Sequence, residues 1–443
     1  MRTTLFHRLP RAVGRAPLTL AVLVGACVPE VQASNHVADV RVVLDADAQV
    51  GANRALVDIE VCDATGAACM QVPRVLLDTG STGLLLRQSA WSQLHQPLHR
   101  LYSSRGPWGQ CARFDKVAAW SWVAWAVVGF GGLRTVEPIP VGLMVNDGPR
   151  PPDCDLGLPD AGLPADINGI LGVAPARTFC GNFPGGLCPV GWRASAYYTH
   201  DEHRGTWHAV QPPSGVDLAN PVAHFPPGYD DGVVLRMPSL ADRVPASADA
   251  LHGELHLGVA ASHAELFGSR AHCECGTTLD TQIPGAIHLG VLRLDGPIAI
   301  DSGAAANLLP HALSCFGKDC PGTPCQGLDG AAITVGFGDL AHVLLPDGDV
   351  ANLAIERPPW FRLGVSNLDG VAPGWAAHDA ITGFRDGTLP VLGMPFFYGR
   401  TIGFGIAGTQ APSGEVYPDG YVLIADTPVT RPAARRRARS ASP

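Results

Sequence analysis

Val75-Leu76-Leu77-Asp78-Thr79-Gly80-Ser81-Thr82-Gly83-Leu84-Leu85-Leu86 decides how this chain is read. An apolar run leads straight into an Asp, and a small hydroxyl residue and a Gly follow at once. The pattern is a strand that delivers a carboxylate to a tight turn. Gly80 has no Cβ, so backbone can approach the carboxylate closely there. A lone Asp-Thr-Gly has little specificity. This chain carries a second copy, Ile298-Ala299-Ile300-Asp301-Ser302-Gly303-Ala304, again strand, Asp, hydroxyl residue and Gly.

Each copy has a follower. Asn168-Gly169-Ile170-Leu171-Gly172 comes after the first and Pro390-Val391-Leu392-Gly393 after the second. Gly172 lies 94 residues beyond Asp78, and Gly393 lies 92 beyond Asp301. Four elements in this order predict a duplicated unit. The competing reading of each Asp is an Asx-type turn without chemistry. Paired motifs with matched followers argue against it.

At these residues the chain resembles the pepsin-like, two-lobed aspartic proteases. The resemblance spans roughly residues 50–410 and is specific in its four anchors. It implies a mainly β, double-lobed fold with lobes related by a pseudo-two-fold axis. Each lobe would supply one catalytic Asp, and each apolar-apolar-Gly strand would thread beneath its Asp turn. More closely, the chain resembles an uncharacterised bacterial family of secreted, pepsin-like proteins catalogued only as a domain of unknown function. The residues that carry this are Asp78–Leu84, Asn168–Val173, Asn220-Pro221-Val222 and Pro395-Phe396-Phe397-Tyr398-Gly399-Arg400. In pepsin-like proteases a hairpin flap closes over the substrate and usually bears a Tyr near its tip. The corresponding stretch, Cys111–Gly132, has no Tyr. Trp120 is the nearest aromatic stand-in and Trp122 the second, with burial as packing residues the alternative for both.

At 443 residues the chain is long enough for two lobes with separate cores. Gly 52 and Pro 39 suit many short strands joined by turns. Arg2, Arg8, Arg11 and Arg15 precede a short apolar stretch, Leu18–Ala26, as in an export signal. Two ends are open. Val24-Gly25-Ala26-Cys27 looks like a lipobox that would make Cys27 the lipid attachment site, and Val31-Gln32-Ala33 before Ser34 looks like an ordinary cleavage site. The lipoprotein end is preferred, because a Cys follows the apolar stretch and two small residues directly. The expected organisation is a signal over 1–33, a first lobe over 34–215, a second over 216–430 and a disordered Arg-rich tail over 431–443.

The formal charge is −9, and about −18 once the arginines of the leader and tail are set aside. An acidic body argues against nucleic acid as partner. The chain has 12 Cys. With an export signal this reads as disulfides in an oxidising compartment, periplasm or cell exterior. Cys62 with Cys69, Cys180 with Cys188, and two of Cys315, Cys320 and Cys325 are the expected local pairs. His272-Cys273-Glu274-Cys275 reads as disulfide rather than metal, since no second Cys/His cluster lies close by.

Along the chain, residues 37–44 and 55–61 alternate as half-buried strands do. Residues 88–98 suggest a short helix, 105–109 a loop, 220–225 and 232–237 strands. Arg193–Gly215, rich in His and aromatics, reads as an insertion. Its His203 and His208 offer metal ligands, but no His-Glu-x-x-His helix supports a metallohydrolase. A Gly-x-Ser-x-Gly elbow, a phosphate loop and a dinucleotide fingerprint are all absent from the sequence.

Peptide hydrolysis needs an activated water and a proton for the leaving amine. Two carboxylates held face to face share one proton and supply both. The expected function is therefore an exported aspartic endopeptidase acting on polypeptides. Asp78 and Asp301 are its catalytic pair, and Thr79, Gly80, Ser81, Ser302 and Gly303 support them. No cofactor, no metal and a monomeric chain are expected, with membrane attachment only through a lipid on Cys27. The alternative is an inactive pepsin-like surface lipoprotein that binds a partner. Ser81, three residues after Asp78, can donate to its carboxylate. Ala304, three after Asp301, cannot, which predicts activity reaching nearer neutral pH than a stomach-type enzyme.

Overall fold

The computed structural model describes residues 36–427 apart from 44–52, 95, 115–116, 147–148, 155–162, 191–194, 240–249, 272, 279–280, 290–291, 311–331, 338–342, 345–349, 352–359, 365–381 and 386–388. The leader with Cys27, the Arg-rich tail and Cys315, Cys320 and Cys325 lie outside the described residues.

The fold is mainly β, as the motifs predict. Apolar strands carry each Asp to its turn: Cys69–Asp78 for the first and Leu292–Ile300, ending just before Asp301, for the second. Each turn then reverses into a second strand, Thr82–Leu86 or Asn307–Pro310. The followers run between the arms of these turns. Gly169–Val173 pairs parallel to the incoming strand, Gly172 opposite Asp78, and antiparallel to the outgoing one, Gly172 opposite Gly83. Val391–Leu392 repeats this, parallel beside Ala299 and Ile300 and antiparallel beside Leu308. The same crossing therefore occurs twice, in the pepsin-like manner.

Both followers end on a Gly for a steric reason. A Cβ on Gly393 would lie 2.2 Å from the Ala306 carbonyl oxygen, and one on Gly172 would strike the Ser81–Thr82 backbone. The last residues of the incoming strands, Val75–Leu77 and Ile298–Ile300, and the followers are apolar because both faces are covered there. Leu77, Leu84, Leu86, Leu171, Ile300, Leu309 and Leu392 share one buried cluster.

Among the described residues, one sheet of 17 strands joins the first half of the chain to Gly232–Arg236, Ala250–Leu257, Cys273–Gly276, Arg400–Gly405 and Tyr421–Asp426. Val37–Val43 stitches it, pairing antiparallel with both Arg54–Cys62 and Ala250–Leu257. A second sheet of seven strands holds the Asp301 crossing.

Several local expectations change. Residues 106–114 are strand rather than loop, paired with Val117–Phe130 in a hairpin whose last described pair is Phe114 with Val117. The helix after residue 87 covers only Gln88–Trp91. Residues 220–225 are not a strand. Pro221–His224 is a short 3-10 helix, because Pro221 suits a first helical turn and the Asn220 side chain accepts the Val222 N–H. Asn220 Nδ2 also donates to the carbonyls of Ala174 and Ala176, which fixes the chain just beyond the first follower. The 193–215 insertion contains a hairpin, Tyr197–Asp201 with Thr206–Ala209.

Cys62 and Cys69 are bonded across the end of a hairpin, and Cys180 is bonded to Cys188, as the spacings suggest. Cys273 pairs with Cys275. Cys111–Cys154, 43 residues apart, is a bond no local spacing announces. Multiple disulfides suit an extracellular or periplasmic protein. No helix among the described residues is long and apolar enough to cross a membrane.

Candidate functional site

The two Asp turns meet. Their hydroxyl residues, Thr79 and Ser302, are fully buried and brace each other reciprocally. Thr79 N donates to Ser302 Oγ at 3.1 Å, and Ser302 N donates to Thr79 Oγ1 at 2.9 Å. Each hydroxyl then donates to the strand that leads into the opposite Asp: Thr79 Oγ1 to the Ile300 carbonyl at 3.2 Å, Ser302 Oγ to the Leu77 carbonyl at 2.7 Å. Each hydroxyl thus accepts one bond and gives one, so no buried polar atom of the brace is left unsatisfied. The exchange is two-fold in pattern, as expected of duplicated units.

This brace sets the carboxyl groups face to face. Gly80 N donates to Asp78 Oδ1 at 2.8 Å and Gly303 N to Asp301 Oδ1 at 2.7 Å. The two glycines leave the room: a Cβ on Gly80 would lie 2.5 Å from Asp301 Cγ, and one on Gly303 would lie 2.7 Å from Asp78 Oδ1. Ser81 Oγ donates to Asp78 Oδ2 at 2.5 Å. Ala304 offers no hydroxyl at the matching place.

The pair is asymmetric electrostatically as well. Asp301 is held well above the usual carboxylate range, first by burial, then by the charge of Asp78 and by a hydrogen bond shared with it. The Gly303 and Ala304 N–H groups pull the other way. The charge of one carboxyl makes it costly to ionise the carboxyl facing it.

Trp120, the flap candidate, lies on the strand Val117–Phe130. It faces Cys111 across the hairpin and is 4% exposed. Its ring packs edge-on against Trp122, Tyr198 and Trp207, and Trp207 stacks on Trp122 and His200. Tyr197–Asp201 pairs with Gly106–Phe114 along the outer edge of the hairpin, so the insertion wraps the aromatic cluster. His203 and His208 lie in and after the bend of this second hairpin, and His208 contacts Thr206.

Three groups at or near the site were not read as site residues from the sequence, although Tyr398 lies in a motif that carries the family resemblance. Arg54 donates from Nη1 to the Gly303 carbonyl at 2.8 Å. Asn53, with φ 57° in the left-handed region that Asn tolerates, donates from Nδ2 to the Ala305 carbonyl at 3.1 Å. Tyr398 Oη donates to Asn53 Oδ1 at 2.8 Å. An Arg that opens an alternating strand looks like any surface strand residue. Nothing in the sequence says which way it points.

Two facing carboxyls with donors to each, one of them held above the usual carboxylate range, can deprotonate a water and protonate a leaving group. No metal is needed for that chemistry.

No curated protein matches the chain. Among solved structures, it is similar to the crystal structure of aspartic proteinase from Irpex lacteus, at 14% identity over 88% of this chain and 97% of that one, with a TM-score of 0.46. A likeness that distant says nothing about activity. The family described as protein of unknown function (DUF3443) matches residues 32–312, a stretch that contains both Asp turns and well over half of the sequence, and the chain belongs to that family.

Proposed function

We propose that the protein is an exported aspartic endopeptidase. The observation that carries this reading is the reciprocal Thr79–Ser302 brace, which presents Asp78 and Asp301 to each other, with Asp301 held above the usual carboxylate range. A binding scaffold has no use for two carboxyls whose approach raises the pKa of one of them. In the working pair the ionised carboxyl takes a proton from a bound water, which attacks the peptide carbonyl. The protonated one polarises that carbonyl, and the roles reverse as the amine leaves. Asp301, lifted by burial and by Asp78, is the natural holder of the proton before attack. The substrate would be a polypeptide, bound between a lobe ending near residue 215 and one running to 430, in a monomer held to a membrane only by a lipid on Cys27.

The test is cleavage of a denatured protein mixture from pH 3 to 7 by the oxidatively folded chain, with and without a pepstatin-type inhibitor. Inhibitor-sensitive cleavage that persists above pH 5 is the expected result. Absence of cleavage by a folded sample at every pH would reject the proposal. Ala304→Ser supplies the missing donor to Asp301. It is expected to move the acid limb of the activity profile down by about one pH unit, since a hydrogen bond to a charged group is worth about that much. An unmoved limb would show that residue 304 does not tune the pair.

A second reading has one observation in its favour. The aromatic residue nearest the flap position, Trp120, is packed under the insertion hairpin. That suits a pepsin-like surface protein that binds a partner and does not cleave it, and the same assay separates the two.

A further inference from the structure

We infer that Arg54 is a positioning residue for the dyad, doing on the Asp301 side, through the Gly303–Ala304 peptide, what the Ser81 hydroxyl does directly for Asp78. The inference deepens the peptidase reading and rests on it for its kinetic consequence.

The path is short. Arg54 Nη1 donates to the Gly303 carbonyl. The peptide unit that owns this carbonyl also owns the Ala304 N–H, which donates to the Asp301 main-chain carbonyl at 3.2 Å and so closes the turn that carries the carboxyl, and which also favours the charged form of Asp301. A cation bound at the oxygen of a peptide polarises it and makes its N–H a stronger donor. The hydroxyl donor that Asp78 receives from Ser81 is absent at Ala304, and on that side Arg54 acts through the turn it holds and through its charge. Asn53 and Arg54 grip the carbonyls of Ala305 and Gly303, so adjacent residues of one strand entrance hold the turn on both sides of Ala304.

The charge of Arg54 is the second part of the argument. Burial pulls the guanidinium below its usual pKa, and attraction from Asp301 and then Asp78 works against that. Among the described residues no carboxylate lies within 4.0 Å of it, and its Nε–H is buried without a partner. Arg54 is half-buried, and removing even part of a cation from water without a contact ion pair is costly. Hydrogen bonding to one carbonyl does not require a cation, since a neutral donor would serve. A full charge here makes sense if its field acts on the pair. Among the described residues, the titratable groups that act on one another are Asp78 from the first turn, Asp301 from the second and Arg54 from the strand Arg54–Cys62; Tyr398 bonds the adjacent Asn53, and burial keeps its hydroxyl protonated.

The test separates the charge from the brace. Arg54→Gln keeps an N–H donor and loses the charge, and Arg54→Lys keeps the charge. Melting temperatures of the full chain, both variants, and each combined with Asp301→Asn are measured from pH 4 to 8. A nearby cation lowers the proton affinity of the pair. Its contribution to stability is therefore present at high pH and fades as pH falls. The expected result is that the deficit of Arg54→Gln grows with pH, that Arg54→Lys removes most of this growth, and that Asp301→Asn abolishes much of it. In cleavage assays both limbs of the Arg54→Gln profile should move up by about one pH unit. A deficit that is the same at every pH would overturn the inference and leave Arg54 as a structural brace. If the wild type cleaves nothing but the pH-dependent deficit appears, Arg54 keeps its role and the peptidase reading falls.

Discussion

Asp301→Asn is expected to lower peptide cleavage by about a thousandfold or more and, in the same protein, to raise the melting temperature at neutral pH. The first effect follows from the chemistry: an amide can neither give up nor take the shared proton. Asp78→Asn should lose activity to the same degree. The second effect follows from the raised pKa of Asp301. In the folded chain this carboxyl binds its proton more tightly than in the unfolded chain. Between the ordinary Asp value, about 4, and its folded value, the native state holds more protons, so stability falls as pH rises through that window. Below about pH 4 both states are protonated and the cost vanishes. Asn does not titrate and escapes the cost. Its carbonyl oxygen can still accept the Gly303 N–H, and its amide can donate to Asp78, so the geometry survives. The gap in melting temperature between Asp301→Asn and wild type should therefore open from near zero at pH 4 to about 2 °C or more at pH 7. Thermal melts at several pH values read this directly. A gap that is constant with pH, or a variant that still cleaves, would contradict the arrangement described here.

Gly172→Ala is expected to cost about 3 kcal/mol of stability, at the upper end for overpacking. The new Cβ would lie 2.7 Å from the carbonyl carbon and oxygen of Ser81 and from Thr82 N. All three are backbone atoms, so no side chain can rotate out of the way. The strand cannot retreat either, because it is hydrogen-bonded parallel to one arm of the Asp turn and antiparallel to the other. Relief must come by moving Ser81, which donates to Asp78, so activity should fall together with stability. Gly181→Ala is the matched control. Its Cβ would find the Ala176 Cβ at 3.4 Å and the Thr178 Oγ1 at 3.6 Å, close to ordinary contact, and a change within about 0.5 kcal/mol is expected. Denaturant unfolding of both variants decides the matter. Equal stabilities would mean that the follower does not pass under the turn as closely as described.

The crossing and the brace were legible because their signals are local. An apolar strand before Asp-hydroxyl-Gly names a turn. An apolar-apolar-Gly run names a strand with no room for a Cβ. Finding each twice in the same order supplies the pairing that a single copy lacks. Cys62–Cys69 and Cys180–Cys188 were legible in the same way, since few residues separate the partners. The misread stretches were also local, but there two rules competed. Residues 220–225 look like a strand by composition, yet Asn220 and Pro221 together start a helical turn. Residues 106–109 look like a loop, yet Tyr102–Ser103 pairs with residues 106–107 and the insertion hairpin with residues 108–109, which makes that backbone strand.

By itself the sequence determined the duplicated mainly β architecture and the two residues whose carboxyls meet, because strand, turn and glycine chemistry act over a few residues. Only the tertiary structure decided what surrounds them. Arg54 reaches the Gly303 carbonyl across 249 positions of sequence, Cys111 finds Cys154, and Trp120 is enclosed by Trp207 and Tyr198. Which strands become neighbours depends on packing summed over the whole sheet, and a side chain's direction and partners follow from that neighbour, not from the residues beside it in the chain.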